Sequence, residues 1–158
     1  MDRPSTFFYS SPLCPLTFWA TPKGIYKTAF KPGKTVGSGF DFSGLKQELD
    51  QYFKGRLKVF SVPLDFDRSG FTGRVLRKLR TIPFGKVISY GELAKGVGNE
   101  GAARAVGTVM SNNQIPLLIP CHRVVKSDRS IGEFSGGPGL KEKLLSHEGK
   151  ILLNNTIQ

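Results

Sequence analysis

The chain has 158 residues, 39% of them hydrophobic and 22% charged, which is the composition of one folded domain or two small ones and excludes a disordered polymer. There is no run of about 18 apolar residues, so no membrane-spanning helix is expected; two distant cysteines and two histidines make neither a disulfide framework nor a standard zinc spacing. Lys and Arg number 23 against 12 acidic residues, a formal charge of +11, which favours a polyanionic partner, nucleic acid before a membrane surface, over a merely solvated basic exterior.

The opening Met1-Asp2-Arg3-Pro4 lacks the basic-then-apolar layout of a signal peptide, so the protein is expected in the cytoplasm, or on the nucleoid in a prokaryote. Residues 1–66 read as a small α/β domain. Strand-like runs at Thr6–Tyr9, Leu16–Ala20 and Gly24–Phe30 are separated by the turn signals Ser-Ser-Pro, Thr-Pro-Lys-Gly and Pro-Gly-Lys. A helix capped by Ser43 carries Leu45, Leu49, Tyr52 and Phe53 on one face and stops at Gly55. A short strand is predicted at Val59–Val62.

Residues 67–158 read as mostly helical. Ser69 begins a helix with Phe71, Val75, Leu76 and Leu79 inward. Ser89-Tyr90-Gly91-Glu92 fits a capping box and predicts a short helix to about Lys95, broken by Gly96-Val97-Gly98. Asn99 then caps a helix to about Ser111, and the pair reads as a helix-turn-helix. At about 100° per residue, Ala102, Val106, Val109 and Met110 share the core face. Arg104 lies opposite, among Gly107, Thr108 and Ser111. A long cation among small residues suits close approach to a phosphate or a base stack; a solvent-facing Arg on an Ala-rich helix is the plain alternative.

The segment Ile115–Val125 is apolar on both sides of Pro120-Cys121-His122-Arg123, so it is expected to be buried. A buried cysteine is usually a small hydrophobe. Three polar side chains in one buried stretch, however, are costly unless paired or used. A thiol reacts as its thiolate, and an ordinary cysteine, with a pKa of about 8.5, is barely ionised at neutral pH. His122 can take the proton, directly or through one water, if an acid orients it. Glu148 is the candidate acid. It follows a helix at Leu140–His147, where the dipole disfavours a carboxylate, so either a cationic partner holds it or it is a solvent-exposed stop.

Taken together, Ile88-Ser89-Tyr90, Ala102-Ala103-Arg104-Ala105-Val106-Gly107, Ile119-Pro120-Cys121-His122-Arg123-Val124-Val125, Ser135-Gly136-Gly137 and His147-Glu148-Gly149 closely resemble the catalytic domain of the O6-alkylguanine-DNA alkyltransferases, also called methylated-DNA–protein-cysteine methyltransferases. The resemblance is weaker through Tyr52-Phe53-Lys54-Gly55 and Val62-Pro63-Leu64-Asp65. It implies a ribonuclease H-like α/β domain, a small antiparallel sheet plus helix, followed by a mostly α domain with a helix-turn-helix. It implies repair of O6-alkylguanine in double-stranded DNA from the minor groove, without cofactor; no metal or membrane partner is expected, and a monomer is the default because nothing in the sequence points to an oligomer interface. Cys121 matches the alkyl acceptor of a single-turnover reaction, His122 its activator, Glu148 the acid that orients the histidine, and Asn113 a hinge. Tyr90 matches a phenol that protonates departing guanine. Arg104 matches a finger that fills the gap left by the flipped nucleotide. Ala103, Ala105, Gly107, Thr72 and Thr108 match DNA contacts, and Val124, Phe134, Ser135, Gly136 and Lys141 the substrate pocket.

Two departures matter. Phe134 stands where relatives often carry Tyr, which removes a hydroxyl from the pocket wall, and Cys14 lacks the partners of the zinc site some relatives have. A damage sensor without transfer is the main alternative, and Cys121 argues against it, since the related non-enzymatic group has Trp there. A Cys-His hydrolase would turn over repeatedly. A sequence-specific transcription factor would usually need a dimer, and no heptad is visible.

Overall fold

The computed structural model describes residues 3–132, 134 and 136–158. The first half is built on an antiparallel meander of β1 (Ser5–Ser10), β2 (Pro15–Thr21) and β3 (Gly24–Ala29). Its alternating pattern turns Leu16, Phe18 and Ala20 of β2 inward. Helix α1 (Ser43–Phe53) contributes Leu45, Leu49 and Tyr52 to the same core. Thr21 and Gly24 pair across the β2–β3 turn. Gly24 is required there because a Cβ would fall 2.6 Å from the Pro63 carbonyl oxygen, which accepts from the Ile25 amide.

No strand forms at Val59–Val62. Side chains, rather than a ladder, satisfy that backbone. The Glu48 carboxylate accepts from the amides of Ser61 and Val62, and the Arg80 guanidinium donates to the carbonyls of Phe60 and Val62.

The second half starts with α2 (Gly70–Leu79), which buries Val75, Leu76 and Leu79 and leaves Phe71 half-buried. Strand β4 (Ile88–Ser89) leads into α3 (Tyr90–Gly96), whose first turn is capped by Ser89 Oγ accepting from the Glu92 amide at 3.0 Å. Helix α4 spans Ala103–Ser111 and begins four residues after Asn99, so Asn99 is not its cap. Gly98 and Gly101 have φ of +78° and +88°, a left-handed backbone that a right-handed helix cannot include. Val106, Val109 and Met110 of α4 face the core and Arg104 is exposed, while Ala102 precedes the helix and is half-buried.

Ile115–Val125 is buried throughout. It passes through a 3₁₀ turn at Cys121–Arg123 into β5 (Val124–Val125), which pairs in parallel with β4. Helix α5 (Pro138–His147) follows, then the hairpin of β6 (Leu152–Leu153) and β7 (Thr156–Ile157). One hydrophobic core runs through both halves, from Leu16 and Tyr52 to Val106 and Leu144. Backbone bonds also cross between them, Thr28 to Gln114 at 3.0 Å and Phe84 to Lys58 at 2.8 Å. Among the described residues no helix is long and apolar enough to cross a membrane.

Candidate active site

Two features hold the turn before Cys121 in place. Leu117 sits in the left-handed region at φ +76° although fully buried, a strained conformation that survives only where its surroundings dictate it. The surroundings are supplied by Asn113, two residues past α4. Its amide nitrogen donates to the Ile119 carbonyl at 3.1 Å, and its side-chain oxygen accepts from the Ile115 amide at 3.0 Å. The Asn113 side chain thus ties the helix end to both sides of the strained turn.

Cys121 is 5% exposed, and that small exposure opens on a cleft of about 700 Å³. Tyr90, Ala103, Arg104, Gly107, Thr108 and Phe134 line the same cleft. The parallel pairing of Ile88 with Val124 brings the start of α3, and with it Tyr90, beside the cysteine segment. A Cβ at Gly132 would lie 3.4 Å from the Tyr90 hydroxyl, and one at Gly107 would meet nothing within 4 Å. Gly107 therefore leaves the cleft floor open and serves no packing need. Ser111, expected on the face of Arg104, also lines the cleft, as do Met110, expected only in the core, and Lys126, which had no part in the expected site; Ser111 and Lys126 are exposed.

Beyond Cys121 the interior is polar. His122, Arg123, Lys141 and Glu148 are almost fully buried. Glu148, the residue just past α5, accepts from His122 Nε2 at 2.6 Å and from Arg123 Nε and Nη2 at 2.7 and 3.0 Å. Arg123 Nη1 donates to the Ile82 carbonyl at 2.7 Å. The Tyr52 hydroxyl adds a bond to Glu148 Oε2 at 2.7 Å, and the Gly85 amide a longer one to Oε1 at 3.4 Å. Burial alone would raise the Glu148 pKa, but the His122 and Arg123 partners hold it well below the usual carboxylate range. The cationic partner that its place against the helix dipole called for is Arg123. Sequence reasoning placed Arg123 in the buried run without a role, and Tyr52 only on a helix face.

Burial pushes the His122 pKa down, against the pull of Glu148, so the imidazole is neutral near pH 7. An ionised carboxylate only accepts, so the proton sits on Nε2 and Nδ1 carries a lone pair. Nδ1 is buried and has no hydrogen-bond partner among the described residues. Burial also raises the Cys121 thiol, while Asn113 and Lys141 oppose that rise. Lys141 donates to the Val124 carbonyl at 2.7 Å, and burial lowers its pKa to about 8.

The remaining sequence-predicted residues are scattered. Thr72 is exposed on α2 and Ala105 is exposed on α4, and neither lines the cleft. Gly136 borders a second crevice with Thr28 and Asn113 and packs against Leu140, Phe30 and Phe134. Ser135 lies outside the described residues. Among the described residues no group of three or more His, Cys, Asp or Glu is placed to hold a metal ion.

The fold thus joins a sheet-and-helix half to a helix-turn-helix half and sets Cys121 on a cleft that carries Arg104 and Lys126, next in sequence to the buried His122–Glu148 pair. The family described as 6-O-methylguanine DNA methyltransferase matches through its ribonuclease-like domain at residues 7–66 and its DNA binding domain at residues 70–150. The chain belongs to this family. It is 37% identical over 145 residues to the methylated-DNA–protein-cysteine methyltransferase of Mycobacterium bovis, covering 87% of this chain and 88% of that one. With the Mycolicibacterium paratuberculosis protein of the same name it is 43% identical over 107 residues, 68% of this chain and 65% of that protein. The crystal structure of Mycobacterium tuberculosis O6-methylguanine methyltransferase superposes with a TM-score of 0.80 at 34% identity, over 92% of this chain and 93% of that one. A structure of the Mycobacterium tuberculosis protein in complex with DNA gives 0.78 at 35% identity, over 90% and 92%.

Proposed function

We propose that this protein repairs DNA by moving the alkyl group of O6-alkylguanine onto its own Cys121. The observation that carries the reading is the setting of that sulfur: an open cleft on one side and, next to it in the chain, an imidazole held by a buried carboxylate. His122 Nδ1 accepts the thiol proton, directly or through one water, and a thiolate forms where burial would otherwise keep the thiol. The thiolate attacks the alkyl carbon; the S–C bond forms as the bond from carbon to O6 breaks. Guanine leaves with the electron pair, and Tyr90, on the cleft wall, protonates it. The product is a thioether with no leaving group that water can displace, so each molecule acts once.

The target oxygen lies inside a duplex, and turning the nucleotide out costs a few kcal/mol. Arg104, on the exposed face of α4, fills the gap. Ala103, Gly107 and Thr108 let that face approach the minor groove, and the +11 charge binds phosphates. Asn113 fixes the turn, and Phe134, Val124 and Lys141 shape the base pocket. Thr72 and Ala105 contact backbone flanking the site. In this reading residues 67–158 carry DNA binding and transfer, residues 1–66 support them, and the protein works as a cytoplasmic monomer without cofactor or metal.

The test is intact mass after exposure to O6-benzylguanine, followed by peptide mapping. One benzyl group on Cys121 is expected, and never more than one per chain. An unmodified Cys121 in protein that still binds alkylated DNA would return the damage-sensor reading.

A further inference from the structure

Tyr52 belongs to α1, in the half of the molecule that carries none of the chemistry described above. Its ring is fully buried, against Phe53, Phe60, Phe84 and His147 at centroid separations of 4.9 to 5.7 Å. His147 Nε2 donates to its carbonyl at 2.9 Å, which pins the end of α1 against the end of α5. A buried tyrosine hydroxyl needs an acceptor, and a backbone carbonyl would serve. The acceptor here is Glu148 Oε2, the same oxygen that holds His122 Nε2.

Each donor to a carboxylate oxygen takes up part of its charge and weakens its pull on the others. Without the tyrosine, Oε2 would draw the imidazole proton more strongly and favour the imidazolium, which has no lone pair at Nδ1. We propose that Tyr52 is a positioning residue for the transfer reaction: through its bond to Glu148 Oε2 it tempers that carboxylate and keeps His122 in its neutral, proton-accepting form. This gives the N-terminal half a part in the chemistry, and it rests on the alkyl-transfer reading above. The other charged and titratable groups around the pair are Arg123 and Cys121 in the turn, Lys141 and His147 on α5, and Cys14, which bears on Tyr52 from the N-terminal half. Arg123 and Lys141 oppose protonation of His122 as Tyr52 does, but neither is removed in the test.

Tyr52→Phe keeps the ring and loses only the hydroxyl. The His122 titration, read by NMR with His147 assigned through His147→Gln, is expected to move up by about one pH unit. The single-turnover rate with O6-benzylguanine should fall roughly tenfold on the acid side of its pH profile and rejoin the wild type at higher pH. Phe60→Leu loosens the packing around the same ring without touching the carboxylate, and should lower the melting temperature while leaving the profile in place. An unmoved His122 titration in Tyr52→Phe overturns the proposal, as does an equal displacement of the profile in Phe60→Leu. If wild-type Cys121 takes no benzyl group, the alkyl-transfer reading falls, yet the His122 titration still decides whether Tyr52 tempers Glu148.

Discussion

The two sides of the Cys121 sulfur are built on opposite principles. In front, side chains of α4, Tyr90 at the start of α3 and Phe134 leave a wide cleft, and Arg104 and Lys126, which also line it, are exposed. Behind, His122, Arg123, Tyr52 and Glu148 are packed into a buried knot in which nearly every polar atom has a partner. The front tolerates change because its groups are solvated and have room to move. The back does not, because removing one member leaves another buried and unpaired. Binding is therefore expected to depend on many weak contributions at the front, and chemistry on a few strong ones at the back.

The sulfur itself belongs to both sides, so its removal has the largest effect. Cys121→Ala should abolish alkyl transfer altogether and leave affinity for duplex DNA unchanged, measured by mass and by titration against the same oligonucleotide. Loss of binding together with transfer would mean that front and back are not separable.

Next comes the knot. Glu148→Gln keeps the shape of the carboxylate but removes the charge opposing Arg123. Breaking a buried pair in this way costs about 3–5 kcal/mol of stability, and losing an oriented base slows transfer by roughly 10²–10⁴-fold. Both should appear, in chemical unfolding and in single-turnover kinetics. A stable but slow variant would mean that Arg123 is satisfied by the Ile82 carbonyl alone.

Sequence made the front legible and the back only in pieces. The cap at Ser89, the core stripe of Val106, Val109 and Met110, and the opposed Arg104 are local patterns, set by residues within one or two helical turns of each other. The knot is not local. Tyr52 and Glu148 are 96 residues apart, and Arg123 reaches Ile82 across 41. Two halves of the answer were nevertheless present: an arginine in an apolar run needs a counter-ion, and a carboxylate beyond a helix C-terminus needs a cation. Nothing in the spacing said that they belonged together. Of the two expectations that fail, the strand fails for the same long-range reason and the cap for a local one. The strand expected at Val59–Val62 is replaced by bonds from Glu48 and Arg80, and the start of α4 is set by left-handed glycines, not by Asn99.

At the front, Arg104→Ala should slow repair of duplex DNA about tenfold to a hundredfold, the worth of part of the flipping cost. Transfer from free O6-benzylguanine, which needs no flipping, should change little. Equal losses on both substrates would place Arg104 in the chemistry and erase the contrast between the two sides.

Acid should weaken the back and spare the front. The folded-state pKa of Glu148 lies below its ordinary 4.5, so its contribution to stability is complete above that value and is lost as pH falls past it. The His122 pKa is also lowered, from 6.5, so the unfolded chain takes up a proton first and stability begins to fall below that pH. The two effects add. Unfolding free energy should decline steadily from about pH 6.5 downward, and Arg104→Ala should follow the same curve, because its side chain is no part of the knot.

The smallest effect is expected where the sides meet. Phe134 lines the cleft, yet its ring lies edge-on to His122 at 6.4 Å and tilted against Phe30 at 5.6 Å. Phe134→Tyr adds a hydroxyl to the cleft wall without changing that packing, so stability should stay within about 0.5 kcal/mol. One new hydrogen bond to a bound base is worth about 1 kcal/mol, which is roughly a fivefold gain in the concentration dependence of the O6-benzylguanine reaction. The rate at saturation should not move, because the added group faces the base and the imidazole keeps its neighbours. A change in the saturated rate would mean that the ring's contact with His122 transmits the front of the site to the back.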